Sequence, residues 1–206
     1  YFQMFQDIGI NTLSLVQVNY VTRPDFTYKT LEMTEKYGMA YFPQDDYVTN
    51  KRGENALSAT EIGQRLVKMY DYASFGSAFL ADEPGTPYYS GAEFPERYIS
   101  NYKGIADAYN ELGVTTYGNM YPMGHIEDQK VYEQYVEEFI EVFQPKILMW
   151  DQYPFERFYG GDMSEIVTAT SIMSKNAKEN KIPFWIFIQA GDQFYIAGED
   201  SATPYW

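Results

Sequence analysis

The chain has 206 residues, of which 45% are hydrophobic and 21% charged, a length and composition that suit one folded domain with a substantial core and exclude a disordered chain. Its 29 acidic residues against 15 basic ones give a formal net charge of −14, which argues against nucleic acid and anionic membrane surfaces as partners, and no apolar run is long enough for membrane insertion. With no cysteine and a single histidine, His125, the chain offers neither a disulfide framework, nor thiolate chemistry, nor a histidine-rich metal centre, so no metal or organic cofactor is expected.

One pattern recurs in chain order: an amphipathic stretch ends in Gly or Pro, and a short apolar run follows. The runs are Ile10 to Val16, Met39 to Phe42, Phe75 to Ala81, Val114 to Gly118, Lys146 to Trp150 and Ile182 to Ile188. Their centres lie roughly 27 to 38 residues apart, the length of a strand-helix-strand unit. Phe2, Phe5 and Ile8 keep helical spacing ahead of the first run, and Gly9, Gly38 and Gly113 stand where helices end. Ser58 and Glu61 form a capping box, and Ile62, Leu66, Met69 and Ala73 continue a helical stripe behind it. Pro95 suits a first helical turn. From about Glu127, Tyr132, Tyr135, Val136, Phe139, Ile140 and Phe143 form one apolar face; Asp162 and Glu165 suggest another capping box.

Strands alternating with helices predict an α/β fold with a parallel sheet covered by helices. An open doubly wound sheet and a (β/α)8 TIM barrel both fit. No Gly-x-Gly-x-x-Gly follows a strand and no phosphate-binding P-loop is present. Polar and aromatic residues instead gather after nearly every strand: Gln17 to Tyr20, Gln44 to Tyr47, Asp82-Glu83, Asn119 to Tyr121, Asp151 to Tyr153, and Gln189. That distribution favours the barrel, whose active sites draw on many strand ends. A barrel needs eight strands, and six are visible. The expectation is a single (β/α)8-type domain over residues 1–206, incomplete, with one strand lost before Tyr1 and one after Trp206.

Leu80-Ala81-Asp82-Glu83-Pro84 resembles the Asn-Glu-Pro strand end of clan A (β/α)8 glycoside hydrolases, with Asp in place of Asn. Three further segments are similar to bacterial glycoside-hydrolase-like barrels with an Asp-Glu-Pro strand end: Asp7 to Thr12, Trp150 to Phe155, and Ile182 to Ala190. The resemblance implies a bacterial glycan-processing protein that is exported, whether secreted, periplasmic or at the cell surface. It also implies that Glu83, ending the fourth strand once a lost first strand is counted, is the general acid/base. The clan's nucleophile, a glutamate, ends the seventh strand; here that position is Gln189, and an amide is not a nucleophile.

Glycoside hydrolysis uses two carboxyl groups, one to protonate the leaving oxygen and one as nucleophile or base. Glu83 shares strand parity with Phe79 and Ala81, which points it into the barrel and Asp82 toward the helices. Asp151 ends its strand on the parity of Ile147 and Met149 and is the first choice of partner. Asp45 and Asp46 are candidates for binding sugar hydroxyls or for the second carboxylate.

The chain also holds 21 Tyr, more than a core needs, because a buried phenol requires a hydrogen-bond partner. An acidic, tyrosine-rich protein suits a neutral polar ligand with apolar faces, and sugars lead that class. Tyr20, Tyr47, Tyr121, Tyr153 and Trp185 are candidate stacking platforms, and Asn119 and Gln189 candidate hydroxyl binders. The expected function is glycoside hydrolysis of an oligo- or polysaccharide. The alternatives are a carbohydrate-binding barrel that has lost catalysis, and an enzyme on another small polar substrate. The last would call for a metal cluster or a strand-end lysine, neither of which the sequence contains.

Overall fold

A computed structural model describes residues 1–19, 23–84, 94–123, 128–151 and 163–187. Six strands alternate with helices: α1 (Phe2–Asp7), β1 (Thr12–Asn19), α2 (Pro24–Lys36), β2 (Ala40–Gln44), α3 (Asp46–Thr49), α4 (Ala59–Leu66), β3 (Ala78–Asp82), α5 (Phe94–Glu111), β4 (Thr116–Met120), α6 (Gln129–Phe143), β5 (Ile147–Asp151), α7 (Met163–Asn180) and β6 (Phe184–Phe187). Among the described residues, no helix is long and apolar enough to cross a membrane.

Several strands start later than the apolar runs suggest, and the helix ends explain why. Gly9, Gly38 and Gly113 adopt φ of 83°, 63° and 68°. The next residue's amide then reaches back five positions: Ile10 to the Phe5 carbonyl at 2.8 Å, Met39 to Thr34 at 2.8 Å, Val114 to Tyr109 at 3.0 Å. This is the Schellman closure, and it uses the first apolar residue of each run to end a helix. Lys181 does the same without glycine, at φ 57°, with Ile182 bonded to Ala177.

Helix starts follow their side chains. Ser58 and Glu61 form the reciprocal capping box. Asp128 accepts from the amides of Lys130 and Val131 to begin α6, whose six expected apolar residues are all buried. The stripe begun at Ile62 leaves the helix after Leu66, yet Met69 stays buried through the turns that follow.

Every strand pair is parallel. β1 pairs with β2, and β3, β4, β5 and β6 pair in sequence order. A bridge between Tyr41 and Phe75 joins the two sheets, with the Tyr41 amide on the Ser74 carbonyl at 2.7 Å and the Gly76 amide on the Tyr41 carbonyl at 3.0 Å. The β1–β2 register breaks between Ser14 and Asn19, where β2 presents Pro43, which has no N–H to give.

The sheet is strongly curved. In a flat sheet, β2 and β6 would lie roughly 19 Å apart at about 4.8 Å per strand. Instead the rings of Phe42 on β2 and Trp185 on β6 stack with centroids 5.3 Å apart. Phe42, Phe79, Tyr117, Ile147 and Met149 fill the concave side, with Ala40, Trp185 and Phe187 packed against them. Gly76 permits that closeness, since a Cβ there would fall 2.1 Å from a carbon of the Phe42 ring. The convex side carries the larger core, in which Leu80, Leu148 and Trp150 meet Leu31, Ile62, Tyr109, Tyr135 and Phe139 of the helices. A sequential, parallel, curved sheet under helices is compatible with part of an α/β barrel.

Candidate functional site at the carboxyl ends of the strands

Parallel α/β folds place chemistry at the carboxyl ends of their strands. On β4 the alternation is regular: Tyr117 faces the concave cluster, Gly118 the helices, and Asn119 the concave side again. On β3 it is not. Phe79 pairs with Tyr117, but Asp82 rather than Ala81 pairs with Asn119. One extra residue on β3 makes a bulge, which reverses the parity beyond it. Asp82, expected to face the helices, therefore stands on the concave side, and Asn119 Nδ2 donates to its Oδ1 at 3.1 Å.

Glu83 follows the bulge in the left-handed region, at φ 43°, with its amide donating to the Asn119 carbonyl at 2.7 Å. A non-glycine residue there carries backbone strain, a state that clusters at functional sites. Its side chain is half-buried.

Asn119 is 5% exposed, and its Oδ1 has no hydrogen-bond partner among the described residues. Gln44, two residues past Phe42 on β2, has a buried Oε1 in the same state, while its amide nitrogen donates to Asp46. The rings below them, Phe42 and Tyr117, lie 5.3 Å apart. Burial holds the Asp46 carboxyl above its ordinary pKa; the Gln44 hydrogen bond opposes this and the neighbouring Asp45 charge adds to it. Asp151 is 3% exposed at the end of β5, whose unbroken register keeps it on the face of Ile147 and Met149. Burial, and secondarily the charge of Asp151, push the Tyr132 hydroxyl far above its usual range.

Other expected residues lie elsewhere. Asp45 is engaged in the fold: its carboxylate receives Arg65 Nε at 2.6 Å and Nη2 at 3.0 Å, and the Tyr47 amide at 3.0 Å. It caps α3 and ties β2 to α4. The Tyr47 ring is covered by Arg65 at 4.5 Å and Lys51 at 5.2 Å. The open platform expected at Tyr121 is instead a ring 3% exposed in the convex core, its amide held by the Tyr135 hydroxyl at 3.1 Å. Trp185 gives one ring face to Phe42, at an interplanar angle of 10°. Tyr20, Tyr153, His125 and Gln189 lie outside the described residues.

Asp82 and Gln44 are the residues that sequence reasoning left out of the site. For Gln44 the signal was present, because it continues the alternation of Ala40 and Phe42. For Asp82 there was none, because no residue type on β3 marks the bulge.

A groove of about 600 Å³ lies at the opposite end of the sheet, lined by residues such as Glu141, Pro145, Asn176 and Ile182. It sits at the amino ends of β5 and β6, the stability face of such folds. Among the described residues no group of three His, Cys, Asp or Glu is placed to hold a metal.

The curved parallel sheet has a counterpart among solved structures. The chain is similar to the crystal structure of a "putative alpha-L-fucosidase" from Bacteroides thetaiotaomicron VPI-5482, with a TM-score of 0.62 and 15% identity, covering 95% of this chain and 67% of that one. At that identity the likeness is one of fold alone, an α/β architecture with a parallel sheet. No family model matches the chain, and no curated protein matches it.

Proposed function

We propose that the chain is the greater part of a (β/α)8 barrel that acts on carbohydrate as a glycoside hydrolase. The observation that carries this reading is the set of acceptors on the concave carboxyl-end face: the Asn119 and Gln44 amide oxygens, buried and without partners among the described residues, beside Asp82 and near Asp46. A buried acceptor without a donor is costly, and a ligand rich in hydroxyl groups relieves that cost. Glu83 is the general acid/base in this reading, held at a strained strand end as a positioned acid often is. Asp151 is the second carboxylate, on the concave parity of β5. Asp46, whose proton is retained to higher pH by burial, is the other carboxyl group available. The fold likeness to a protein described as a fucosidase supports a glycoside as substrate.

The test is turnover of a panel of 4-nitrophenyl glycosides, including the α-L-fucoside, by the wild-type chain and by Glu83→Gln. Hydrolysis lost by a factor of about 10² or more in the variant supports the assignment, the usual scale for removing an acid-base group. Equal rates in both forms would remove Glu83 from the mechanism.

A second reading rests on Gln189 standing where the related hydrolases carry their nucleophile: a barrel that binds carbohydrate without cleaving it. Glycoside binding that survives Glu83→Gln, with no turnover in either form, would select it.

A further inference from the structure

The Asn119 amide has two ends, and Asp82 decides which one the ligand meets. A carboxylate only accepts hydrogen bonds, so the amide must turn its Nδ2 toward Asp82, as it does at 3.1 Å. Oδ1 is then the end left without a partner, on a side chain 95% buried on the concave face. Gln44 repeats the arrangement one strand group away: its nitrogen is held by the Asp46 carboxylate, and its Oε1 is buried and unpartnered. In both amides an adjacent aspartate thus holds the nitrogen and leaves the oxygen as the end without a partner among the described residues.

The described cations near these strand ends do not offset that polarity. Arg65 is bidentate to Asp45. Arg52 donates to the Thr49 carbonyl at 2.9 Å and lies over the Tyr102 ring, while Lys51 lies over the Tyr47 ring. Arg23, after β1, lies over the Phe26 ring. Each is drawn to a partner within the fold.

We infer that the Asp82–Asn119 pair, seconded by Asp46–Gln44, is a charge filter: it admits neutral or amino sugars through their donor groups and rejects sugars bearing carboxylate, sulfate or phosphate. A hydroxyl or ammonium can donate to Oδ1 and Oε1, whereas a fixed anion meets, among the described residues, these two acceptor oxygens and two aspartates. This rests on the carbohydrate reading above and names the substrate class within it. Asp82 acts here as a positioning residue, through the orientation it imposes on Asn119.

The test is direct binding, measured by titration calorimetry and saturation-transfer NMR. The probes are methyl glucoside, methyl galactoside and methyl fucoside, the glucuronate and galacturonate of matching configuration, and a sulfated galactoside. At least one neutral glycoside is expected to bind, with its anionic counterpart weaker by about tenfold or more, because like charges brought together are strongly penalised. In Asp82→Asn the amide is free to turn its NH2 outward and one negative charge is gone, so the gap should close to about threefold or less. A merely structural role for Asp82 would weaken both ligands alike and leave the ratio unchanged.

An anionic glycoside bound as tightly as its neutral partner by the wild type, or an unchanged ratio in Asp82→Asn, overturns the filter while leaving the carbohydrate reading intact. Failure of every glycoside to bind overturns both. The wild-type comparison decides the matter by itself should the variant not fold.

Discussion

The hydroxyls of Ser14 on β1 and Tyr117 on β4 meet at 2.8 Å across the concave side of the sheet. Two strands, β2 and β3, separate them in the ladder, so the bond exists only because the sheet curls. Tyr117 also donates to the Phe42 carbonyl at 3.3 Å, which brings β2 into the same contact. The floor of the candidate site is therefore polar at one point and aromatic around it. Tyr117→Phe should lower stability by about 1 kcal/mol, the net worth of a buried hydrogen bond. Urea unfolding measures it, and an unchanged midpoint would show that the bond contributes nothing to the curvature.

Gly76 makes a sharper prediction. A methyl group there would sit 2.1 Å from the Phe42 ring, which itself stacks on Trp185. Gly76→Ala should cost about 1–3 kcal/mol, the range for overpacking a filled site. Thermal unfolding would report the loss, and tryptophan fluorescence should shift as Trp185 moves off Phe42.

Arg65→Ala should be costly. It leaves Asp45, whose side chain is 3% exposed, buried without its cation. Breaking such a pair costs about 3 kcal/mol, toward the lower end of the buried range because the Arg65 side chain is itself 26% exposed. A loss well under 1 kcal/mol in chemical denaturation would show that water reaches Asp45 freely.

Alkaline pH should destabilise the fold through its buried tyrosines. Burial pushes the Tyr41 hydroxyl from 10.0 up to about 12. Tyr109, Tyr117 and Tyr132 are raised further, again chiefly by burial. With folded values above the unfolded one, the folded chain holds these protons after the unfolded chain has released them. The contribution of these phenols to stability is then fully present below about pH 10 and falls as pH rises from there toward and beyond 12. The ultraviolet titration should show a set of phenols that ionise only on unfolding; a single smooth transition near 10 for every tyrosine would contradict this.

Glu83 offers a test of strain against function. At φ 43° a residue with a Cβ is disfavoured by about 1–2 kcal/mol, a penalty glycine escapes. Glu83→Gly should therefore keep or raise the melting temperature while abolishing turnover. A marked loss of stability would mean that the Glu83 side chain is chiefly a structural anchor.

The alternation of strands and helices, the capping box at Ser58 and the buried stripe of α6 were all legible from residue order. Each depends on neighbours within one or two turns: a side-chain oxygen beside free amides, or apolar residues at helical spacing. Strand starts were read too early for a local reason that spacing conceals. Ile10, Met39, Val114 and Ile182 look like strand residues but donate their amides to close helices.

The candidate site was legible in part. Asn119, Asp46 and Asp151 were read from the chain at strand ends; Asn119 and Asp151 lie on β4 and β5, and Asp46 opens α3 just beyond β2. Asp45 looked equivalent to Asp46, yet it turns to Arg65, twenty residues away on a helix that only packing brings near. Tyr121 looked like a rim residue because it follows a strand; the reach of Tyr135 from α6 draws it into the core.

What the sequence by itself determined is the six strands, their alternation with helices and hence their parallel pairing, because periodicity and capping act over a few residues. That Asp82 faces the concave side was decided only by tertiary structure. Strand parity is a local rule, but the bulge that breaks it lies in the register of β3 against β4, a relation between segments nearly forty residues apart that neither strand encodes alone.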